Sequence, residues 1–156
     1  MIKLVGKDFT IDYYIENIYC LDNFSAFSVE IDGVVYKTIE HAFQTLKFLE
    51  TAPEVAKIIK NCKSPFEARL LAHQYKPMRR KDWGEIKYKV MEMLLTQKVL
   101  QNHYVKEKLI NTNPYTIIED CGEDDDKDWG CGLDGTGENH LGKIWMKIRN
   151  NLKDNS

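Results

Sequence analysis

The sequence predicts an α+β fold, in which one helix-rich domain carries a small antiparallel β element. Apolar residues recur at helical spacing in several segments, the longest of which runs from about Trp83 to Asn102. The segment VEIDGVVY predicts a β-hairpin, because Asp32-Gly33 supplies both positive φ angles of a type I′ turn. The 156 residues contain no repeat, linker or low-complexity segment, so we expect a single domain over 1–156 with a frayed tail from about 153.

Composition limits the classes of partner. Hydrophobic residues make up 43% and charged residues 29%, as in ordinary globular proteins. The net charge of −2 provides no global field for nucleic acid or membranes, so any nucleic-acid contact would be local. The four cysteines are widely spaced, and we find no signal peptide and no apolar run of membrane-spanning length. We therefore expect a cytoplasmic protein with reduced thiols; the sequence does not indicate its oligomeric state.

The elements of the first half follow from local signals. The first twenty residues mix β-formers with charges and predict one or two short strands. After the hairpin, Thr38 is a good N-cap for a helix that continues to Phe48. Two further helices begin at capping boxes, in which a hydroxyl residue precedes a glutamate by three positions; these are Thr51 with Glu54 and Ser64 with Glu67.

The second half contains three more helices and a strand. Asp82 can cap the long helix, and a short helix over about 105–110 and a strand over 115–120 follow it. After a glycine-rich loop, the last helix has an apolar face formed by Leu141, Ile144, Trp145, Ile148 and Leu152.

A polar stripe lies on the helix that begins at Thr38. Glu40, Gln44 and Lys47 share one side of this helix at about 100° per residue. Glu40 is in the first turn, where the helix dipole favours its ionised form. Taken alone, the stripe is most simply an ordinary solvated helix face.

The loop 76–81 places basic residues beside Trp83. Arg79 or Arg80 could clamp a phosphate with two hydrogen bonds, although such a run is more often solvated surface. Trp83 offers a flat face for stacking a base, but a tryptophan at a helix start is more often part of the core.

The loop 122–142 contains six of the nine glycines and is therefore irregular. Its spacing fits neither known phosphate-binding glycine motif, and a phosphate cradle and a structural turn are about equally good interpretations. Asn139 could cap the last helix or orient a sugar hydroxyl, and Trp129 is as ambiguous as Trp83. The acidic residues over 119–126 match no calcium loop and the four histidines match no zinc pattern, so we predict no metal.

Three blocks of the sequence resemble those of the NADAR superfamily, and within it the YbiA-like N-glycosidases. The first is LDNFSAF with TIEHAFQTLKF, the second is PMRRKDW with IKYKVM, and the third is WGCGLDGTGENHLGKIWMKIR. They cover most of residues 19–149 in the family's order. Two departures are that Ala42-Phe43 stands where the family has two aromatics, and that the interval from Pro77 to Trp83 is one residue longer.

The resemblance implies a YbiA-like fold and hydrolysis of an N-glycosidic bond between a phosphorylated ribose and a nitrogenous base. The implied substrates are ADP-ribose on guanine bases of nucleic acid such as DNA, or phosphoribosyl-aminopyrimidine intermediates of riboflavin synthesis. It implies no cofactor and no metal. The alternative is a non-catalytic module that binds ADP-ribose or NAD and reads a modification.

The resemblance also implies site residues. Glu40, Trp83 and Asp126 match the catalytic positions, and the loop before Asp126 is longer here than in the family. The implied substrate-binding residues are Asn23, Phe24, Gln44, Lys47, Arg79, Arg80, Trp129, Gly130 and Asn139. Glu40 would stabilise the sugar's positive charge or take a proton from water. A tryptophan would stack on the base, the cations would neutralise phosphate, and Asp126 would orient a hydroxyl or protonate the leaving group.

Overall fold

The structure, a computed structural model, describes residues 1–6, 12–13, 18–120, 122 and 124–154. Tertiary contacts divide the chain into two compact units, Asn23–Gln101 and Met1–Asp22 with Asn102–Ser156. In chain order the elements are β1 (Ile2–Val5), β2 (Asp12–Tyr13), β3 (Val29–Ile31), β4 (Val34–Tyr36), α1 (Ile39–Leu46), α2 (Pro53–Lys60), α3 (Pro65–Gln74), α4 (Trp83–Gln101), α5 (His103–Asn111), β5 (Thr116–Glu119) and α6 (His140–Asp154). This is the predicted α+β class with small antiparallel sheets.

The unit Asn23–Gln101 begins with the predicted hairpin. β3 pairs with β4 in antiparallel register, and both turn residues have positive φ, 50° at Asp32 and 77° at Gly33, which confirms the type I′ turn. The hairpin leads into α1, where the hydroxyl of Thr38 accepts the backbone N–H of His41 at 3.2 Å. The first turn of α1 is thus fixed by a side-chain cap.

α1 is the central helix of this unit and contacts α2, α3 and α4. Its apolar face is buried at Ile39, Ala42 and Phe43. The helix ends at Leu46, two residues before its predicted end at Phe48, and Leu49 beyond it is 45% exposed. A core formed by α2, α3 and their flanking residues includes Phe48, Ala56, Ile59, Ala68 and Ala72.

One of the two predicted capping boxes is present. The Ser64 hydroxyl accepts the N–H of Glu67 at 3.1 Å, and the Glu67 carboxylate accepts the N–H of Lys63 at 2.8 Å. The box at Thr51 is wrong, because Pro53 is the first helical residue and Ala52 occupies the N-cap position. The Thr51 hydroxyl instead donates to the Met78 carbonyl at 2.6 Å.

The other unit is a three-stranded antiparallel sheet of order β2-β1-β5, against which α6 packs through β5. Leu141, Ile144, Trp145 and Ile148 are buried, as the predicted apolar face requires. α6 is helical through Asp154, and the last two residues of the predicted frayed tail lie outside the described residues. Among the described helices, none has both the length and the apolar composition needed to cross a membrane.

We expect Gly142→Ala to destabilise the protein, because a Cβ on Gly142 would lie well inside contact distance of the Ile117 carbonyl and the Asn139 amide. Overpacking of this kind costs about 1–3 kcal/mol or more in the free energy of unfolding. The matched control is Gly84→Ala in α4, where a Cβ meets nothing within 4 Å and should stabilise by about 0.5–1 kcal/mol. Thermal unfolding of both variants tests this; equal stability of the two would contradict it.

Candidate active site

Glu40 is a buried carboxylate at the start of α1, and only 6% of the residue is exposed. Its backbone N–H donates to the Asn23 carbonyl at 3.1 Å, which connects the first turn of α1 to the segment that precedes the β3–β4 hairpin. Its Oε1 accepts a hydrogen bond from Gln44 Nε2 at 2.7 Å. Gln44 is equally buried, so the interpretation of this stripe as a solvated helix face is wrong.

Asn23 contributes both its backbone and its side chain to this region. Besides accepting from Glu40, it places its Nδ2 at 3.6 Å from the sulfur of Met91 in α4. Its Oδ1 is buried and has no hydrogen-bond partner among the described residues. Phe24, the next residue, is half-buried. A buried polar atom without a partner is uncommon in proteins and often marks a functional position.

His41 also fixes the first turn of α1, and the sequence analysis assigned it no role. The residue is buried, with Nδ1 at 2.9 Å from the Thr38 hydroxyl and Nε2 at 3.2 Å from the Cys62 carbonyl. Burial lowers the pKa of His41 and favours the neutral ring, in which Nε2 can donate to the Cys62 carbonyl while Nδ1 accepts from the Thr38 hydroxyl. The spacing of Thr38 and His41 on one helical turn was the available signal.

Lys47 lies at the other end of α1 against two aromatic rings. Its Nζ is 5.1 Å from the ring centre of Phe43 and 5.6 Å from that of Trp83. The two rings meet edge to face with their centres 4.9 Å apart, and Trp83 is only 3% exposed. Trp83 is therefore buried and supports the ammonium of Lys47 through a cation–π contact.

The charge of Lys47 is strongly perturbed by its surroundings. Burial lowers the pKa of Lys47 to about 8; Glu40 opposes this shift, and Arg79, Lys87 and Arg69 reinforce it. Lys87 and Arg69 could not be predicted from the sequence, because each has the pattern of a surface residue on a different helix, α4 for Lys87 and α3 for Arg69. Lys47 and the three cations that act on it therefore create positive potential at this end of α1, which favours an anionic ligand.

The structure distinguishes Arg79 from Arg80. Arg80 donates to both carboxylate oxygens of Asp82, from Nε at 2.7 Å and from Nη2 at 2.9 Å, and its Nη1 donates to Glu50 at 3.1 Å. The Asp82 carboxylate, which was predicted to cap α4, therefore binds Arg80 through both of its oxygens. For Arg79 we find no ion pair with any carboxylate in the part of the chain that is described, and it is half-buried.

The remaining predicted residues belong to the other unit, where Asp126 shapes the turn before Trp129. Asp126 Oδ1 accepts the N–H groups of Asp128 and Trp129, each at 2.9 Å. This is the bond pattern of an Asx turn, which fixes the backbone that carries the indole. The Trp129 side chain is half-buried.

Asn139 connects the glycine loop to β5. Its Oδ1 accepts the N–H of Glu119 at 2.9 Å, its Nδ2 donates to the Ile117 carbonyl at 3.0 Å, and its own N–H donates to the Gly130 carbonyl at 3.0 Å. It has a φ of 51°, a left-handed conformation that asparagine tolerates better than most residues. These bonds favour the structural-turn interpretation of this part of the loop.

The acidic residues beside this loop bind neighbouring groups of the protein. Lys127 pairs with Asp134 at 2.7 Å, and Asp125 accepts the N–H of Leu133 at 2.9 Å. Within the described ranges, no three His, Cys, Asp or Glu side chains are grouped closely enough to hold a metal ion.

Comparison with known proteins identifies the family. The family model described as NADAR domain matches residues 11–153. N-glycosidase YbiA from Escherichia coli is 32% identical over 154 residues, which are 97% of this chain and 93% of that protein. An N-glycosidase from Nostoc punctiforme is 29% identical over 136 residues, 86% of each chain. A riboflavin biosynthesis protein from Vibrio vulnificus is 30% identical over 141 residues, 90% of this chain and 37% of that protein.

The fold agrees with a solved structure of the same family. The NMR structure of Escherichia coli YbiA matches with a TM-score of 0.79 and 31% identity, covering 90% of this chain and 81% of that one. The family match, the sequence relatives and the fold all agree with the three blocks found in the sequence. This chain belongs to the NADAR family.

Proposed function

We propose that this chain is an N-glycosidase, which hydrolyses the bond between a phosphorylated ribose and a nitrogenous base. The observation that carries the proposal is the buried Glu40 carboxylate at one end of α1 with the Lys47 cation cluster at the other. The names of its relatives support the activity class. Both ADP-ribosyl-guanine and the phosphoribosyl-aminopyrimidines of riboflavin synthesis have this chemistry, and the proposed reaction uses no metal or cofactor.

Glu40 is the proposed catalytic carboxylate. Cleavage of a ribose C1′–N bond builds positive charge on the sugar, and a carboxylate held in a poorly solvated position stabilises that charge strongly. The same carboxylate can take the proton of the attacking water, as the base does in inverting glycosidases. The hydrogen bond from Gln44 fixes its orientation before the substrate arrives.

The cations around Lys47 are the proposed phosphate site. Arg79 is the better candidate for the clamp, because the fork of Arg80 already binds Asp82 and Glu50. Trp83 is proposed to act indirectly, by holding the Lys47 ammonium over its ring. Lys87 and Arg69 would add positive potential without contacting the reacting atoms.

In the other unit, we propose that some of the predicted residues contact the substrate and that others only stabilise the loop. Trp129 remains the candidate for stacking on the base, because its indole is only half-buried. Asp126 is the candidate for orienting a hydroxyl or protonating the leaving group, through the oxygen that does not bind the turn. Asn139 and Gly130 support the loop backbone.

The proposal is tested by incubating the protein with ADP-ribosylated guanine DNA and, separately, with a phosphoribosyl-aminopyrimidine, and by measuring the released base by chromatography. Release from either substrate supports the N-glycosidase and identifies its substrate class. Binding without release supports instead a module that reads ADP-ribose or NAD, since the same cations would retain the phosphates.

Glu40→Gln should lower the turnover number by about 10²-fold or more, because it removes the proton acceptor and the negative charge. The substituted amide can still accept from Gln44, so the melting temperature should change little. Steady-state kinetics and thermal unfolding test this. Glu50→Gln, which alters an exposed carboxylate, is the control. Unchanged turnover in Glu40→Gln would remove Glu40 from the mechanism.

Arg79→Met should raise KM for a phosphorylated substrate by about tenfold or more, since a charge-assisted hydrogen bond contributes about 1.5–3 kcal/mol. Arg80→Met removes an equal charge from the same loop and should leave KM within about twofold, because the Arg80 guanidinium already binds Asp82 and Glu50. Measuring KM for both variants decides the assignment; the reverse order of effects would assign the clamp to Arg80.

The value of kcat/KM should fall as the pH rises through about 8, the pKa to which burial lowers Lys47. Below that pH the ammonium is charged and attracts phosphate, and above it the neutral amine does not. Lys47→Arg should remove this inflection, because arginine stays charged throughout. A profile of kcat/KM between pH 6 and about 9.5 tests this. A rise through pH 8 would show that the neutral amine is the active form.

A further inference from the structure

We propose that Gln44 positions the water molecule that attacks the sugar, by accepting one of its hydrogens while Glu40 accepts the other. The proposal rests on the N-glycosidase function proposed above and adds a role that phosphate or base binding does not require of this residue. It assigns the nucleophile to the first two turns of α1, next to the catalytic carboxylate.

The orientation of the Gln44 amide is fixed by its neighbour. Nε2 is 2.7 Å from Glu40 Oε1, and only the NH₂ group of an amide can donate to an ionised carboxylate. A flipped amide would place two acceptor oxygens against each other. The carbonyl oxygen of Gln44 is therefore held as an acceptor beside Glu40.

That carbonyl oxygen is buried and has no hydrogen-bond partner among the residues that the structure describes. Only 6% of the Gln44 residue is exposed. Leaving a buried acceptor unpaired costs about 1–3 kcal/mol, a cost that a small donor can relieve. Water is the smallest such donor, and internal water binds buried polar groups of this kind.

The chemistry needs two acceptors at this point. A water that donates one hydrogen to Glu40 and the other to Gln44 Oε1 has both lone pairs on the side away from these acceptors, where one of them can attack the anomeric carbon. As its oxygen bonds to the anomeric carbon, the C–N bond breaks and its electron pair leaves with the base. Glu40 takes one proton from the water and later releases it to solvent, while the leaving nitrogen takes up one proton from solvent or a neighbouring acid, so protons balance overall.

The test uses methanol as a competing nucleophile. Methanol has one hydroxyl hydrogen, so it can donate to Glu40 but not to Gln44 as well, and the wild-type enzyme should favour water. Gln44→Met keeps the side-chain length but removes the acceptor. We expect hydrolysis to slow by about three- to tenfold, and the ratio of methyl riboside to free ribose product to rise by a similar factor, with the dissociation constant for substrate unchanged.

The product ratio does not depend on how much of the variant is folded, so it is informative even if Gln44→Met is less stable. Thr45→Val is the matched control, since the Thr45 hydroxyl is also buried and without a hydrogen-bond partner among the described residues. The control should keep the wild-type ratio.

Two results would overturn the proposal, and they differ. If the wild-type enzyme releases base but Gln44→Met keeps the wild-type product ratio, Gln44 acts only on the carboxylate and this inference alone fails. If the wild-type enzyme releases no base from either substrate class, the proposed function fails and this inference fails with it.

Discussion

The burial of the Glu40 carboxylate is the constraint on which the candidate site depends. An ionised carboxylate in a poorly solvated position costs several kcal/mol unless hydrogen bonds and opposite charges offset it. Gln44 provides a short hydrogen bond, Lys47 provides the opposite charge, and the Asn23 carbonyl holds the backbone at the same residue. The Thr38 cap and the His41 bond to Cys62 then fix the turn that carries the carboxylate.

The cation cluster carries a cost of its own. Burial is the largest cause of the lowered pKa of Lys47. Arg79, Lys87 and Arg69 also lower this pKa, and Glu40 raises it. Like charges that lie near one another repel, and an anion among them would relieve that repulsion. An anionic substrate of the kind proposed would therefore gain affinity by relieving repulsion as well as by forming new bonds. Perturbed pKa values such as that of Lys47 concentrate at functional sites.

Short-range patterns predicted the elements of this site, and long-range packing decided how they are used. The Thr38 cap, the hairpin turn and the α1 spacing of Glu40, Gln44 and Lys47 were all readable from neighbouring residues. Their burial was not, because it depends on α2, α3 and α4 packing around α1. For the same reason Arg69 and Lys87 escaped prediction. The choice between Arg79 and Arg80 did have a local signal, the carboxylate of Asp82 two residues beyond Arg80.

The glycine loop shows why residues matched to a family motif do not all have the same kind of role. A Cβ on Gly137 would lie 2.5 Å from the Gly130 carbonyl oxygen, and a Cβ on Gly142 would clash with the Ile117 carbonyl oxygen of β5. Backbone packing alone therefore requires both glycines. The side-chain amide of Asn139 forms hydrogen bonds with the same strand, β5. The third block of the family resemblance therefore consists largely of residues that the packing of the loop requires. The first block, which contains α1, includes buried polar groups that packing alone does not require. The buried polar groups around Glu40 are therefore the best candidates for the residues that carry out the proposed chemistry.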